Sequence, residues 1–270
     1  MLVPKPITVT YRVFDNGKAF TEGAAAYYAN KIAEFVKVTD PATFVNAAFS
    51  GGTTPKAIFD LLADDSKPYR AQVPWERLGF FFVDERNVGP ASKDSNFGMA
   101  EAALLDKVPI EPSQVHRILG ELPPEEAAAK YESAIRGAFR LEGAQMPIFH
   151  LISLGMGDDG HTASLFPHTQ ALHELGRIAV ANHVPQMDTW RITLTWPVID
   201  QGMDVSFLVK GGAKAEMLRR VFLGEYDPET LPSQLIRPTS GKLTLLLDRD
   251  AAALLPQPNH DGVGVLEVAH

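Results

Sequence analysis

The sequence predicts an α/β fold built around a mainly parallel sheet. Short strand-like runs alternate with longer helical patterns from one end to the other, which is typical of βαβ units. The run from Leu78 to Val83, LGFFFV, is apolar at every position, as expected of a strand that is covered on both faces. With 45% hydrophobic residues the chain can form a sizeable core, and we expect residues 1–255 to fold as a single domain.

The elements follow one another in a regular order. Strands are predicted at 7–14, 43–49, 78–83, 148–154, 178–184, 191–198, 205–210 and 243–247. Helices are predicted at 18–38, which is rich in alanine, and at 55–63, 95–108, 123–141, 213–223 and 249–255. The helix at 123–141 opens with prolines and acidic residues, which suit a first helical turn. The tail at 256–270 is polar and contains glycines, and we expect it to be irregular and peripheral.

Composition excludes several classes of protein. Lysine and arginine number 25 against 33 aspartates and glutamates, so the net charge is -8, and no basic cluster suggests a nucleic-acid partner. There are no cysteines, which excludes disulfides, thiolate nucleophiles and cysteine-based zinc sites. No run reaches membrane-spanning length, and the first residues lack the features of a signal peptide. We expect a cytoplasmic protein with a small-molecule substrate and no membrane partner.

Residues Ser50, Gly51, Gly52, Thr53 and Thr54 form a candidate anion site between a predicted strand and a predicted helix. The two glycines let backbone N–H groups converge, and the dipole of the helix adds partial positive charge. A phosphoryl group would suit this turn, although a plain strand-to-helix turn also uses glycine. Ser50 as a nucleophile is disfavoured because no G-x-S-x-G sequence surrounds it.

A second polar group follows the strand at 78–83. Asp84 and Arg86 lie on either side of Glu85, so in an extended segment both point to one face and offer an acceptor and a fixed cation. Ser95 and Asn96 open the next helix on the same side of the sheet. A solvated charge cluster is the ordinary alternative for such a sequence.

The segment LGMGDDGHTASLFP, residues 154–167, carries the most chemistry. Its glycines, Gly157 among them, allow a sharp turn at the end of a buried strand and deliver His161 and Asp159 to the edge of the sheet where α/β proteins bind ligands. The alternative is a structural histidine in a loop. The spacing also matches G-x-G-x-x-G, but two aspartates stand where a pyrophosphate would approach, so a dinucleotide site is disfavoured.

The sequence gives little support for a metal site or a P-loop, and it leaves the roles of two cations open. The histidine spacing fits no metal-binding pattern, and Gly241-Lys242 is not followed by the serine or threonine of a P-loop. We expect no metal and no cofactor. Lys210 ends a strand beside a glycine-assisted helix start, and Arg191 begins the strand RITLTWPVI. Either cation can contact a ligand or simply be solvated.

Four segments in this order, SGGTTP, VDERNV with KDSN, LGMGDDGHTASLFP, and RITLTWPVI with FLVKGGAK, resemble the 6-phosphogluconolactonase family over roughly residues 8–255. The resemblance implies hydrolysis of 6-phospho-D-glucono-1,5-lactone in the pentose phosphate pathway, without a metal. It also implies a modified Rossmann-like three-layer sandwich, as in glucosamine-6-phosphate deaminases and ribose-5-phosphate isomerases. His168 and the run PQMDTW depart from the sequences usual in the family.

The resemblance places the family's histidine on His161, its acidic and basic pair on Asp84 and Arg86, and its lysine on Lys210. The family's phosphate loop falls on residues 50–54. His161 would then activate a water molecule, with either Asp84 or Asp159 orienting the ring. Backbone N–H groups of the glycine loop or Arg86 would stabilise the oxyanion, and Arg86, Lys210 and Arg191 are candidates for the phosphate.

Two rival functions fit the sequence less well than a lactonase. A sugar-phosphate isomerase or deaminase of the same fold resembles D-E-Y rather than D-E-R and has an acidic residue shortly after the histidine, where this chain has Leu165-Phe166-Pro167. A sugar-phosphate-sensing regulator would need a DNA-binding helix-turn-helix, and the N-terminal region predicts one strand and one helix.

Overall fold

The computed structural model describes residues 5–269 and has strands and helices in alternation. The strands are β1 (Ile7–Phe14), β2 (Val45–Phe49), β3 (Leu78–Phe82), β4 (Asp84–Arg86), β5 (Val115–His116), β6 (Leu151–Gly155), β7 (Ala179–Val184), β8 (Thr189–Leu194), β9 (Asp204–Val209), β10 (Lys242–Asp248) and β11 (Val263–Val268). The helices are α1 (Gly17–Val38), α2 (Thr53–Ala63), α3 (Pro68–Gln72), α4 (Asn96–Ala103), α5 (Pro124–Phe139), α6 (Trp196–Ile199) and α7 (Ala215–Leu223), with short 3₁₀ turns between some of them.

Eight strands form the main sheet in the order β11-β1-β10-β9-β6-β2-β3-β5. All neighbours are parallel except β11, which runs antiparallel to β1. Every residue of β2, β3 and β9 is buried, so both faces of the sheet are covered there. This confirms the α/β sandwich with a mainly parallel sheet.

A second, small sheet was not predicted. Strands β7 and β8 form an antiparallel hairpin, and β4 pairs antiparallel with β8, with Asp84 opposite Thr193 and Arg86 opposite Arg191. The sequence predicts strands at 178–184 and 191–198 but does not assign them to a separate sheet. The two strands cannot be parallel neighbours because β7 leads into β8 through the short turn Pro185–Met187, and a parallel pair needs a crossover of a dozen or more residues.

Two further expectations are corrected. The strand predicted at 191–198 ends at Leu194, and Trp196–Ile199 is helical because Pro197 suits a first helical turn and cannot donate to a ladder. Residues 249–255 form turns instead of a helix, since the Asp248 carboxylate accepts the backbone N–H of Ala251 and Pro256 ends the segment.

The tail is not irregular throughout, because β11 lies at the edge of the main sheet. Gly264, which suggested a loop, stands opposite Tyr11 in the register. A Cβ at this position would lie 2.0 Å from the Tyr11 ring, so the strand can pass over the ring only with glycine there. Residue 270 and residues 1–4, which the predicted tail and domain include, lie outside the described residues.

The candidate site residues follow the carboxyl ends of neighbouring strands in the main sheet. The carboxyl ends of β2, β3, β6 and β9 lead directly into the segments that begin at Ser50, Val83, Met156 and Lys210. Because these strands are parallel neighbours, the four segments meet at the same edge. Among residues 5–269, no helix has the length and apolar character needed to cross a membrane.

The buried carboxylate of Asp200 lies near the amino end of strand β9, at the other end of the strands from the site residues. Asp200 follows α6, is only 5% exposed, and accepts the backbone N–H of Arg237 at 2.7 Å. Burial raises its pKa to about 8. The folded chain therefore keeps a proton that the unfolded chain releases near pH 4, so this group lowers stability as pH rises from about 4 to 8, by at most about 1.4 kcal/mol per pH unit.

We expect Asp200→Asn to raise the free energy of unfolding, with a larger gain at pH 8 than at pH 5. Denaturant unfolding of both proteins at several pH values measures this. Asp65→Asn, at an exposed position, is the matched control. A gain that is the same at every pH would contradict the burial of a protonated Asp200.

Candidate active site

One cavity of about 340 Å³ collects most of the residues that the sequence singled out. We call it the His161 cavity. Its wall includes eight of the candidate residues: Ser50, Gly51, Asp84, Arg86, Asn96, Gly157, His161 and Arg191. They come from four separate segments of the chain, so the sheet edge brings them together as predicted.

Four of the other five candidates lie beside this cavity, and the fifth, Asp159, contacts the His161 ring. Gly52, Thr53, Thr54 and Lys210 line a second cavity of about 250 Å³, which we call the Lys210 cavity. The two cavities share Gly51, Gly155 and Met156 in their walls and therefore adjoin. Lys210 does not line the His161 cavity itself, in contrast to the arginines.

The imidazole of His161 is held on more than one side. Its Nδ1 lies 2.6 Å from the Asp159 carboxylate, which also accepts the backbone N–H of His161 at 3.1 Å. The Phe166 ring stacks on the imidazole with centroids 4.0 Å apart and an angle of 25° between the planes. Because Nδ1 is engaged by a carboxylate, the free nitrogen of the ring is Nε2.

The sequence left open whether Asp84 or Asp159 lies against the His161 ring. In the structure Asp159 contacts the ring and Asp84 does not. Burial alone would raise the pKa of Asp159, but the hydrogen bonds from the His161 ring and main chain outweigh it and hold the pKa below its ordinary value. Asp84 instead accepts the Ser164 hydroxyl at 2.6 Å. Ser164 and Phe166 line the cavity too, and the sequence alone did not single them out.

Gly157 makes room for this pair. A Cβ at Gly157 would lie 2.1 Å from His161 Nδ1 and 2.6 Å from the Asp159 carboxylate. Its backbone N–H donates to the carbonyl oxygen of His161 at 2.9 Å, which closes the loop. The glycine is therefore required by the close approach of the ring and not only by the turn.

We expect Gly157→Ala to displace the His161 ring and to lower kcat roughly tenfold or more for any reaction in which this imidazole acts, because a shift of about 1 Å can cost up to a hundredfold. Steady-state kinetics on the purified variant measures the loss. Gly137→Ala is the control, since a Cβ there meets nothing within 4 Å and Gly137 lies within helix α5. Full activity in Gly157→Ala would show that the ring position does not matter.

The two arginines form an unusual pair of like charges. Arg86 and Arg191 are direct neighbours across β4 and β8, and both line the His161 cavity. The Nε atom of each is buried without a hydrogen-bond partner, as is Ser50 Oγ. Burial, and next the positive charge of Arg86, lower the pKa of Arg191 from its ordinary value. Unpaired buried donors beside each other indicate a site for an anion.

No metal centre accompanies these groups in the described chain. Within residues 5–269, His, Asp and Glu side chains do not gather in threes in a way that holds a metal ion. The chemistry available in the His161 cavity is thus an imidazole with a carboxylate partner, two guanidinium groups and several hydroxyl and amide groups.

Comparison with known proteins identifies the family. A family model described as glucosamine-6-phosphate isomerases/6-phosphogluconolactonase matches residues 15–245. The chain belongs to this family. All the residues of the His161 cavity fall inside the matched region.

Individual relatives agree with the family match. The chain is 42% identical over 206 residues to a 6-phosphogluconolactonase of Synechocystis, covering 76% of this chain and 82% of the relative. It is 34% identical to that of Haemophilus influenzae, covering 86% and 97%. Among solved structures, the devB protein has a TM-score of 0.80 at 32% identity, covering 92% of this chain and all of that chain. The 6-phosphogluconolactonase of Trypanosoma cruzi has a TM-score of 0.76 at 29% identity, covering 94% and 97%.

Proposed function

We propose that this protein is a hydrolase of 6-phospho-D-glucono-1,5-lactone, with 6-phospho-D-gluconate as product, acting in the pentose phosphate pathway. The relatives at 34 to 42% identity carry the name of this activity. The observation that carries the assignment of the site is one cavity lined by both His161 and the arginine pair. A lactone phosphate needs a base at one end and an anion site at the other.

The proposed mechanism needs one base and no cofactor. His161 Nε2 removes a proton from a water molecule as the oxygen attacks the C1 carbonyl of the lactone. The tetrahedral intermediate then expels the ring oxygen, which takes the proton back from the imidazolium as the C1–O bond breaks. Asp159, 2.6 Å from Nδ1, orients the ring and stabilises its protonated form.

The phosphate, in this proposal, lies between the arginine pair and the turn at Ser50 and Gly51. A dianion between two guanidinium groups offsets their mutual repulsion and pairs the free donors of Arg86, Arg191 and Ser50. The start of helix α2 at Thr53 and Thr54, with Lys210, adds positive potential from the adjoining cavity. Backbone N–H groups of the glycine loop are then left for the developing oxyanion.

The residue environment separates this function from the deaminase that shares the family. The position where a deaminase is expected to place an acidic residue is occupied here by the apolar run that contains Phe166, and its ring stacks on His161. An apolar ring at this point cannot assist sugar ring opening by proton transfer. A cytoplasmic location, a single catalytic domain and the absence of a nucleic-acid or membrane partner belong to the same proposal.

The test is a coupled assay on freshly generated 6-phosphogluconolactone. We expect the purified protein to consume the lactone much faster than buffer alone and to release no ammonia from glucosamine 6-phosphate. Ammonia release without faster lactone hydrolysis would favour the deaminase and reject the lactonase.

A further inference from the structure

Glu85 lies directly behind the wall of the His161 cavity and takes no part in the chemistry proposed above. It is 1% exposed. In strand β4 its neighbours Asp84 and Arg86 line the cavity, and the alternation of an extended chain turns the Glu85 side chain to the other side.

The buried carboxylate of Glu85 ties strand β4 to the start of helix α4. Its Oε1 accepts the backbone N–H groups of Arg86 at 2.8 Å and of Asn96 at 2.7 Å. Its Oε2 accepts the backbone N–H of Phe97 at 2.8 Å and the hydroxyl of Ser95 at 3.0 Å. All four partners are donors, so only a carboxylate with two accepting oxygens satisfies them.

The groups fixed in this way reach the cavity. The Asn96 side chain donates to the carbonyl oxygen of Asp84 at 2.9 Å and packs so closely on Gly51 that a Cβ there would lie 1.8 Å from its amide oxygen. The Arg86 guanidinium donates to the carbonyl oxygen of Asp94, the residue before the helix cap Ser95. Strand, helix start and phosphate turn therefore share one set of contacts.

We propose that Glu85 is a positioning residue for substrate binding, whose carboxylate fixes Arg86 and Asn96 at the anion end of the His161 cavity. The proposal rests on the lactonase function and deepens it. Glu85 acts on the guanidinium and on the turn that face the phosphate. It does not touch the loop that carries His161 and Asp159, so its loss affects binding of the phosphate end more than the chemical step.

The buried Glu85 carboxylate depends on its four hydrogen bonds. Burial raises the pKa of Glu85, while the four hydrogen bonds oppose that shift. An uncharged glutamine of the same size would replace one oxygen by an NH₂ group, which cannot accept from the N–H groups that face it. At least one buried donor would lose its partner, and the contacts around Asn96 and Arg86 would have to rearrange.

The experiment compares steady-state kinetics of the wild type, Glu85→Gln and Glu101→Gln on 6-phosphogluconolactone and on unphosphorylated glucono-1,5-lactone. Glu101 lies on the same helix α4 but lines a different cavity. We expect Glu85→Gln to raise KM for the phosphorylated lactone about tenfold with kcat within about threefold of the wild type. Turnover of the unphosphorylated lactone and all constants of Glu101→Gln are expected to stay unchanged.

Each other outcome has a distinct meaning. A lower kcat with unchanged KM in Glu85→Gln would indicate only less folded enzyme and would overturn the positioning role, as would unchanged constants. If Glu85→Gln does not fold, Ser95→Ala, which removes one of the four bonds and keeps the charge, must raise KM about two- to threefold or the proposal fails. A wild type that does not hydrolyse the phosphorylated lactone would instead contradict the proposed function.

Discussion

Replacing His161 with glutamine is expected to lower kcat by roughly 10² to 10⁴-fold while KM changes little, because general base catalysis is typically worth that factor. The ring is 28% exposed, stacked on Phe166 and bonded to Asp159, so a polar substitution leaves the surrounding loop in place. Initial rates over a range of lactone concentrations, corrected for spontaneous hydrolysis, measure both constants.

The Asp159 contact provides an internal comparison for this prediction. Asp159→Asn keeps the size of the side chain but removes the negative charge that stabilises a protonated His161. We expect a loss of kcat that is smaller than that of His161→Gln, and no further loss in the double variant, because the two residues act as a unit. Unchanged kcat in His161→Gln would reject the base assignment.

The sequence predicted the parallel sheet well because hydrophobic burial on both faces leaves a local signal. Strand β1 was predicted with the bounds that the structure gives it, and β3 within one residue. The alternation of strands and helices then fixed which segment ends meet at the ligand edge, so eight candidate residues met in one cavity.

What the sequence did not predict depends on contacts between distant segments. The small sheet forms because β4, only three residues long, pairs with β8, which lies more than a hundred residues later in the chain. No local sequence pattern predicts such a pairing. For the same reason, no local pattern predicts that Arg86 and Arg191 are direct neighbours across two strands. The sequence also could not decide whether Asp84 or Asp159 contacts the His161 ring, because the answer depends on which carboxylate lies close to Nδ1 in three dimensions.

His168 departs from the family pattern at a position where the backbone is left-handed. Glycine is usual at this position in the resembled family, and the structure gives His168 a φ of 59°. This left-handed conformation costs an ordinary side chain roughly 1 to 2 kcal/mol, although histidine tolerates it better than most. The residue that departs from the family pattern is therefore also one whose backbone is strained.

Removing one arginine from the pair is expected to stabilise the free protein and to weaken substrate binding at the same time. Arg191→Met replaces a half-buried guanidinium, whose Nε has no partner and whose neighbour across the strands is Arg86, by an apolar side chain of similar length. Burial, and next the repulsion from Arg86, disfavours the charged Arg191 side chain, so the substitution should raise the free energy of unfolding by roughly 1 kcal/mol. Thermal or denaturant unfolding without ligand measures it.

The same substitution removes one of the two arginines of the proposed anion site, and we expect kcat/KM for 6-phosphogluconolactone to fall by roughly 10- to 10²-fold, the value of a hydrogen bond to a charged group. Turnover of unphosphorylated glucono-1,5-lactone, which has no phosphate to bind there, is expected to be unaffected. Arg249→Met removes an exposed arginine remote from the His161 cavity and serves as the control. An equal loss on both lactones would mean that Arg191 serves the reacting carbonyl, because only a contact at the phosphate end distinguishes the two substrates.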